Sequence, residues 1–428
     1  MPAGKVPKGA PQAAQGSGGD RIGTLPDELL YRILSFLPAQ QTVRTCVLGR
    51  RWLRLWKSTT VLRIAGTNGN TSVPFEEVRE FVDSLLLLRE NQPLEIFELR
   101  VASTAIDVPR VRLWVSYALQ CKVQVLRLSF HGNEHASLPL RPQDPPLASM
   151  HLTKLELRGV AFNGDFLDLS RCPALQDLEI EGCSFVLTGR ISSQSLKRLK
   201  ITSAVFNRSS RTRIHAPNLA TLELYISYGK TPVLESMPLL ISALVVFWGK
   251  FDCCSRSNYG DCGDESCENC IPNDTSSVLL HSLSQAKNLE LGAKDDTYIF
   301  RRDLKCCPTF SRLKSLMVNE HWCVPDIQVL ARILEHSPVL EELYLILIYK
   351  MRELNVIMKG RFSPKELPPT ISAHLKKVVV RCGAVDERVV QVLKSLSELN
   401  ISKNGSQLKT DLGPTSFGEE TKLHQRKC

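Results

Sequence analysis

One pattern recurs from residue 94 to residue 380: apolar-x-x-apolar-x-apolar, with its middle apolar residue at Phe97, Leu126, Leu155, Leu178, Leu199, Leu222, Leu244, Leu289, Leu316, Leu343 and Val378. The first seven marks lie 29, 29, 23, 21, 23 and 22 residues apart, the next interval is 45, and the last three are 27, 27 and 35. Alternation over so few residues predicts a short strand at each mark, with one face inward. Three copies agree further, LELRGVAF from 155, LEIEGCSF from 178 and LKITSAVF from 199, each placing Phe162, Phe185 or Phe206 after its strand. The flanks have a helical period instead. Near the start, Leu29, Leu30, Ile33, Leu34 and Leu37 repeat at helical spacing between Pro26 and Pro38, followed by Val43, Cys46 and Val47, then by Trp52, Leu53, Leu55 and Trp56.

Spacings of 20 to 29 residues are those of leucine-rich repeats. A strand that is apolar on one side cannot bury that side alone, so successive repeats stack strand on strand around one elongated core. Eleven strands about 4.8 Å apart give a curved parallel sheet roughly 50 Å long. The marked residues are expected in the core, and the residues alternating with them on the concave face, where repeat proteins bind partners. The repeats are irregular: Cys183 alone stands where the common pattern has Asn or Cys, and Val160 and Ala204 fill that place in the adjacent copies. The 45-residue interval reads as one repeat with an insertion.

Residues 20–58, DRIGTLPDELLYRILSFLPAQQTVRTCVLGRRWLRLWKS, hold too little material to bury a core unaided and call for a partner. Pro26 suits a first helical position, and Asp27 and Glu28 suit the positive end of the dipole. The string Leu25-Pro26, Ile33-Leu34, Arg50-Arg51-Trp52 and Trp56 resembles the F-box of plant proteins. Gly49 stands where that family usually has Ser, a change worth only a few tenths of a kcal/mol at a helix cap. Residues 374–401, HLKKVVVRCGAVDERVVQVLKSLSELNI, predict a strand, a turn at Cys382-Gly383 and a helix begun by Asp386, with Val389, Val390, Leu393 and Leu396 inward. They resemble the FBD region that follows leucine-rich repeats in many plant F-box proteins. The expected fold is α/β: a small three-helix F-box, an irregular solenoid and a strand-helix cap. Its expected segments are a disordered start over 1–19, the F-box over 20–60, the solenoid over 92–373 with an insertion over 251–277, the cap over 374–401 and a mobile tail over 402–428.

Composition changes this picture little. With 43% hydrophobic and 23% charged residues the 428-residue chain is ordinary globular material, and no apolar run approaches the roughly 20 residues that span a bilayer. The N-terminal stretch has no core of signal-peptide length. Fourteen cysteines, mostly single within apolar patterns, suit a reducing nucleus or cytoplasm. The formal charge of +10 is spread among interspersed acids, and the densest basic block lies within the F-box-like segment, so nucleic-acid binding is not expected.

The segment 251–270 carries Cys253, Cys254, Cys262, Cys267 and Cys270, the last two as CxxC. Four thiolates could hold zinc, but a single CxxC, uneven spacing and abundant acids favour a solvated insertion without metal. No nucleophile elbow, phosphate loop, HExxH or deaminase signature occurs, and Glu320-His321-Trp322-Cys323 reads as a strand end. No enzyme activity and no cofactor are therefore expected.

The resemblance implies a substrate-recognition subunit of a Skp/cullin/F-box ubiquitin ligase. The F-box would dock a Skp-type adaptor that hangs from a cullin carrying a RING subunit, and the repeats would hold a protein target. Leu25, Pro26, Leu29, Ile33, Leu34, Leu37, Val43 and Trp52 are the expected adaptor-binding residues. Two alternatives stay open: a repeat scaffold without ligase association, and a zinc-stabilised nucleic-acid binder.

Overall fold

The computed structural model describes residues 22, 24–68, 71–89, 91–102, 106–131, 138–139, 147–164, 167–247, 277–293, 303, 307–322, 327–347, 374–382, 385–398 and 407–411. The residues 1–19 and the cysteine-rich stretch lie outside them. Three short helices come first, α1 (Asp27–Leu34), α2 (Ala39–Arg44) and α3 (Trp52–Leu55), with 3-10 turns at Thr45–Leu48 and Trp56–Ser58. A parallel sheet follows, the backbone of a leucine-rich-repeat solenoid.

Its strands lie side by side in chain order: β1 (Val61–Ala65), β2 (Ile96–Ala102), β3 (Val125–His131), β4 (Lys154–Arg158), β5 (Asp177–Glu181), β6 (Arg198–Phe206), β7 (Thr221–Tyr228), β8 (Ser242–Phe247), β9 (Asn288–Ala293), β10 (Ser315–Asn319), β11 (Glu342–Leu347), β12 (Lys377–Cys382) and β13 (Gln407–Asp411). Three shorter strands beside them complete a 16-stranded sheet. A second, three-stranded sheet joins Arg190–Ser192, Arg213–His215 and Val233–Leu234. Helices α4 (Phe75–Leu88), α5 (Val108–Gln120), α6 (Ile327–Glu335) and α7 (Glu387–Glu398) close individual repeats.

Pairing runs in one register, Leu62 to Phe97, Leu126, Leu155, Leu178, Leu199, Leu222, Ala243, Leu289, Leu316, Leu343, Val378 and Leu408. Every member from Leu62 to Val378 is buried. Ten of the eleven marked positions thus stand in the core row, and one does not. Leu244 sits opposite Glu223 and Glu290 on the open face, while Ala243 takes the core place. The flanking Ile241 is itself exposed, so the six-residue pattern was satisfied one position out of phase.

Two further differences extend the solenoid. It begins at β1 and α4, before residue 92, because Leu62, Ile64, Val78, Val82 and Leu85 join the same core. It also continues into residues 407–411, expected as part of a mobile tail, where β13 pairs along β12. In α7, Asp386 Oδ1 accepts the Val389 amide at 3.1 Å, the expected helix start. Val390 points to solvent, and Val389, Val392 and Leu396 are the buried set.

The three matched copies are joined by a stack of rings. Phe162 and Phe185 have centroids 5.1 Å apart, and Phe185 and Phe206 stack at 4.7 Å. Each is all but fully buried. Ahead of each ring the chain passes through left-handed backbone at Gly159, Gly182 and Ser203, which occupy one repeat position; in the third copy this is an irregularity inside β6, so Phe206 ends that strand where the sequence placed it after the strand. Cys183 does the work expected of the repeat Asn: its Sγ accepts the Val160 amide of the preceding repeat at 3.3 Å, and burial pushes its thiol up to about 12.

Candidate functional site

Helix α1 is apolar on two adjacent stripes. Leu30 and Leu34 turn inward with Trp52 and Leu55 to form a small separate core, against which Leu25, Tyr31 and Leu37 pack. Leu29 and Ile33 on the neighbouring stripe, and Phe36 in the turn just past the helix, face solvent. Phe36 is 70% exposed and Val47 88% exposed, and Leu48 and Leu53 are exposed too. Arg51 Nε donates to Asp27 Oδ1 at 2.8 Å, tying α3 to the first turn of α1. Gly49 ends the Thr45–Leu48 turn, whereas Arg51 is the residue that precedes α3.

The eight expected adaptor-binding residues therefore divide. Pro26, Leu29 and Ile33 are exposed; Leu25, Leu37 and Val43 are half-buried; Leu34 and Trp52 are buried and hold the module together. Val43 packs on the core of the solenoid. Sequence reasoning missed Phe36, Val47 and Leu48 as surface residues. The signal was present: spacings of four and three from Leu29 through Ile33 to Phe36 form a second helical stripe, beyond what one internal partner needs.

The module is fixed to the end of the sheet. Gln40 Nε2 donates to the Ala65 carbonyl at 2.9 Å, and Arg63 donates to the Ser35 carbonyl. Arg89, buried at the end of α4, donates to the Thr59 carbonyl and, at 3.1 Å, to Thr59 Oγ1. Ala39 and Trp56 enter the main core. Burial lowers the Arg89 pKa, and the Thr59 contacts offset part of that cost by satisfying its donors.

The open face of the sheet is the second candidate surface. One residue after the core row, successive strands carry Arg63, Glu98, Arg127, Glu156, Glu179, Lys200 and Glu223. These are cross-linked: Glu98 meets Arg63 at 3.4 Å and Arg127 at 3.7 Å, Glu156 meets Arg127 and Lys154 at 3.0 Å, and Lys200 meets Glu223 at 3.0 Å. Burial raises the Glu156 pKa, but hydrogen bonds from Lys154 and Arg127 outweigh it and hold the carboxyl below the usual range. From β8 onward the same row reads Leu244, Glu290, Met317, Tyr344 and Val379. Burial, and then the nearby Glu223, pushes Glu290 above the usual carboxylate range. Lys377 Nζ donates to Tyr344 Oη at 2.8 Å at the far end. The face thus passes from a salt-bridged half to a half with apolar and aromatic side chains.

Among the described residues no group of acids, histidines and cysteines could hold a metal, and the six cysteines there are free thiols. Cys253, Cys254, Cys262, Cys267 and Cys270 lie outside those residues. No described helix is long and apolar enough to cross a membrane.

Comparison with known proteins agrees with this architecture. Residues 85–241 match the family model described as FBD-associated F-box protein At5g56370, LRR repeats. The meiotic F-box protein MOF of Oryza sativa subsp. japonica is 28% identical, over 76% of this chain and 71% of its own length. In Arabidopsis thaliana the F-box/FBD/LRR-repeat protein At5g22700 is 26% identical over 95% of both chains, and At5g22660 is 27% identical over 86% of this chain and 84% of its own. The likeness to plant F-box/FBD/LRR-repeat proteins read from the sequence is thereby shown.

Proposed function

We propose, from its likeness to the plant F-box/FBD/LRR-repeat proteins, that this chain is a substrate-recognition subunit of a Skp/cullin/F-box ubiquitin ligase. The observation that carries the reading is the outward stripe of Leu29, Ile33 and Phe36, with Val47 and Leu48, on a module rigidly seated at one end of a repeat sheet. That stripe docks a Skp-type adaptor, and through it a cullin and its RING subunit. The open face holds a protein target. Such a chain needs no catalytic residue or cofactor of its own, because tethering raises the local concentration of target lysines to about the millimolar scale. The reading places the protein in the nucleus or cytoplasm, where buried free thiols such as Cys121, Cys172 and Cys183 stay reduced.

The test is affinity purification of the tagged full chain from plant cells with identification of what accompanies it. A Skp-type protein and a cullin are expected together. Recovery of other proteins without either would favour the scaffold reading instead.

A further inference from the structure

At the edge of the sheet where strands begin, a cleft of about 410 Å³ opens between the starts of β9 and β12. Its walls carry Lys287, Arg312, Lys314, Glu341, His374 and Lys376. Their positions follow from the register. Lys287, Lys314, Glu341 and Lys376 each directly precede a strand, and the backbone amides of Lys314, Glu341 and Lys376 each bond the carbonyl of the one before at 2.8 or 2.9 Å. Stacking therefore lines them up about 4.8 Å apart. Glu341 stands between two lysines and bonds both, Lys314 at 2.8 Å and Lys376 at 2.9 Å. Those hydrogen bonds hold its carboxyl down at about 2, so it is charged at any physiological pH and stays paired with both ammonium groups.

Among the described residues, four cations and one carboxylate line the cleft, a net charge of +3. Among the described residues, the side chains of Lys287 and Arg312 have no hydrogen-bond or ion-pair partner. This differs from the open face, where cations such as Arg127, Lys154 and Lys200 each meet an acid. A guanidinium beside ammonium groups spaced along a line presents bidentate and point-charge donors at once, a set suited to phosphoryl oxygens. The volume exceeds what a single phosphate needs.

We propose that this cleft is a binding site for a ligand with two or more adjacent phosphoryl groups, gripped by Arg312 and Lys287 and steadied by Lys314 and Lys376. The site is separate from the helical module and from the open face, and it stands whether or not the chain joins a ligase.

Titration calorimetry on the full chain at low salt, with sodium tripolyphosphate as one probe and a peptide bearing two neighbouring phosphoserines as the other, tests it. One saturable site is expected, weakening as salt rises. The double variant Lys287→Gln/Arg312→Gln should weaken binding at least about tenfold, since each lost charge-assisted bond is roughly twice as strong as a neutral one. Glu341→Gln should strengthen it, because the competing carboxylate charge is gone while the side chain still accepts a hydrogen bond. Lys200→Gln, on the open face, should leave it unchanged. Tighter binding of the peptide assigns the phosphoryl groups to a protein partner, and tighter binding of tripolyphosphate to a small molecule. Absence of saturable binding to both probes, or equal binding by wild type and the double variant at matched melting temperature, overturns the proposal.

Discussion

A buried leucine and a half-buried glutamate show how single residues set stability here. Leu199 pairs with Leu178 on one side and Leu222 on the other within the core row, and is 1% exposed. Leu199→Ala should cost about 2 to 5 kcal/mol, the range for a leucine truncated where neighbours cannot collapse. Urea unfolding checks it, and an unchanged midpoint would contradict the core assignment. Glu290 behaves in the opposite sense. Its folded pKa is raised, so ionisation costs stability as pH climbs through that value, and the cost is absent where the carboxyl is protonated in both states. Glu290→Gln should therefore raise the denaturation midpoint at neutral pH, with the gain vanishing near pH 4. An equal gain at both pH values would exclude charge as the cause. Neither effect on Glu290 was legible in the sequence, because its neighbours Glu223 and Leu244 come from a strand two repeats away and from one displaced by a long interval.

Elements were legible where the pattern was redundant and illegible where it was thin. The strands with matched flanks, β4 to β6, carry Leu, Ile and Phe at fixed offsets, and the structure superposes those offsets as a core row and a ring stack. At β8 only alternation was available, and two interleaved sets of apolar residues satisfy it equally, so the phase slipped by one and put Leu244 inside. β1 and β13 are not legible because neither keeps the full six-residue pattern. Turns add a test of their own. Gly159 and Gly182 share left-handed backbone, but a Cβ at Gly159 would collide with the Phe130 carbonyl, whereas one at Gly182 meets nothing within 4 Å. Gly159→Ala should lower the unfolding free energy, measured by urea titration, by more than about 1 kcal/mol and by more than Gly182→Ala does. Equal losses would mean that backbone strain alone governs both. The cysteine-rich segment between β8 and β9 offers the converse case, since those strands pair over Ser242–Phe247 without a break in register. Deleting residues 253–270 should leave the melting temperature nearly unchanged. About one zinc per purified chain, with unfolding on chelation, would make that segment a structural metal site instead.

At the scale of the whole molecule, two surfaces are held in a fixed relation by a continuous core. Gln40 and Arg63 bind the helical module to β1, Arg89 ties its end at Thr59 to α4, and the continuous core row from β1 to β12 carries that orientation along the sheet. The existence of the module was readable from forty residues, because two prolines and a helical period bound it. Which of its apolar residues face out was not, since Leu29 and Leu30 differ by one position and only packing against Trp52 and Leu55 decides between them. The central claim is that the outward stripe docks a Skp-type adaptor, and the direct measurement is a titration of purified adaptor against wild type and Phe36→Ser/Val47→Ser. Apolar anchors of an interface are worth about 2 kcal/mol or more each, so the double variant should bind at least about thirtyfold more weakly while keeping the wild-type melting temperature. Wild-type affinity in that variant, or no adaptor binding by the wild-type chain, would contradict the account.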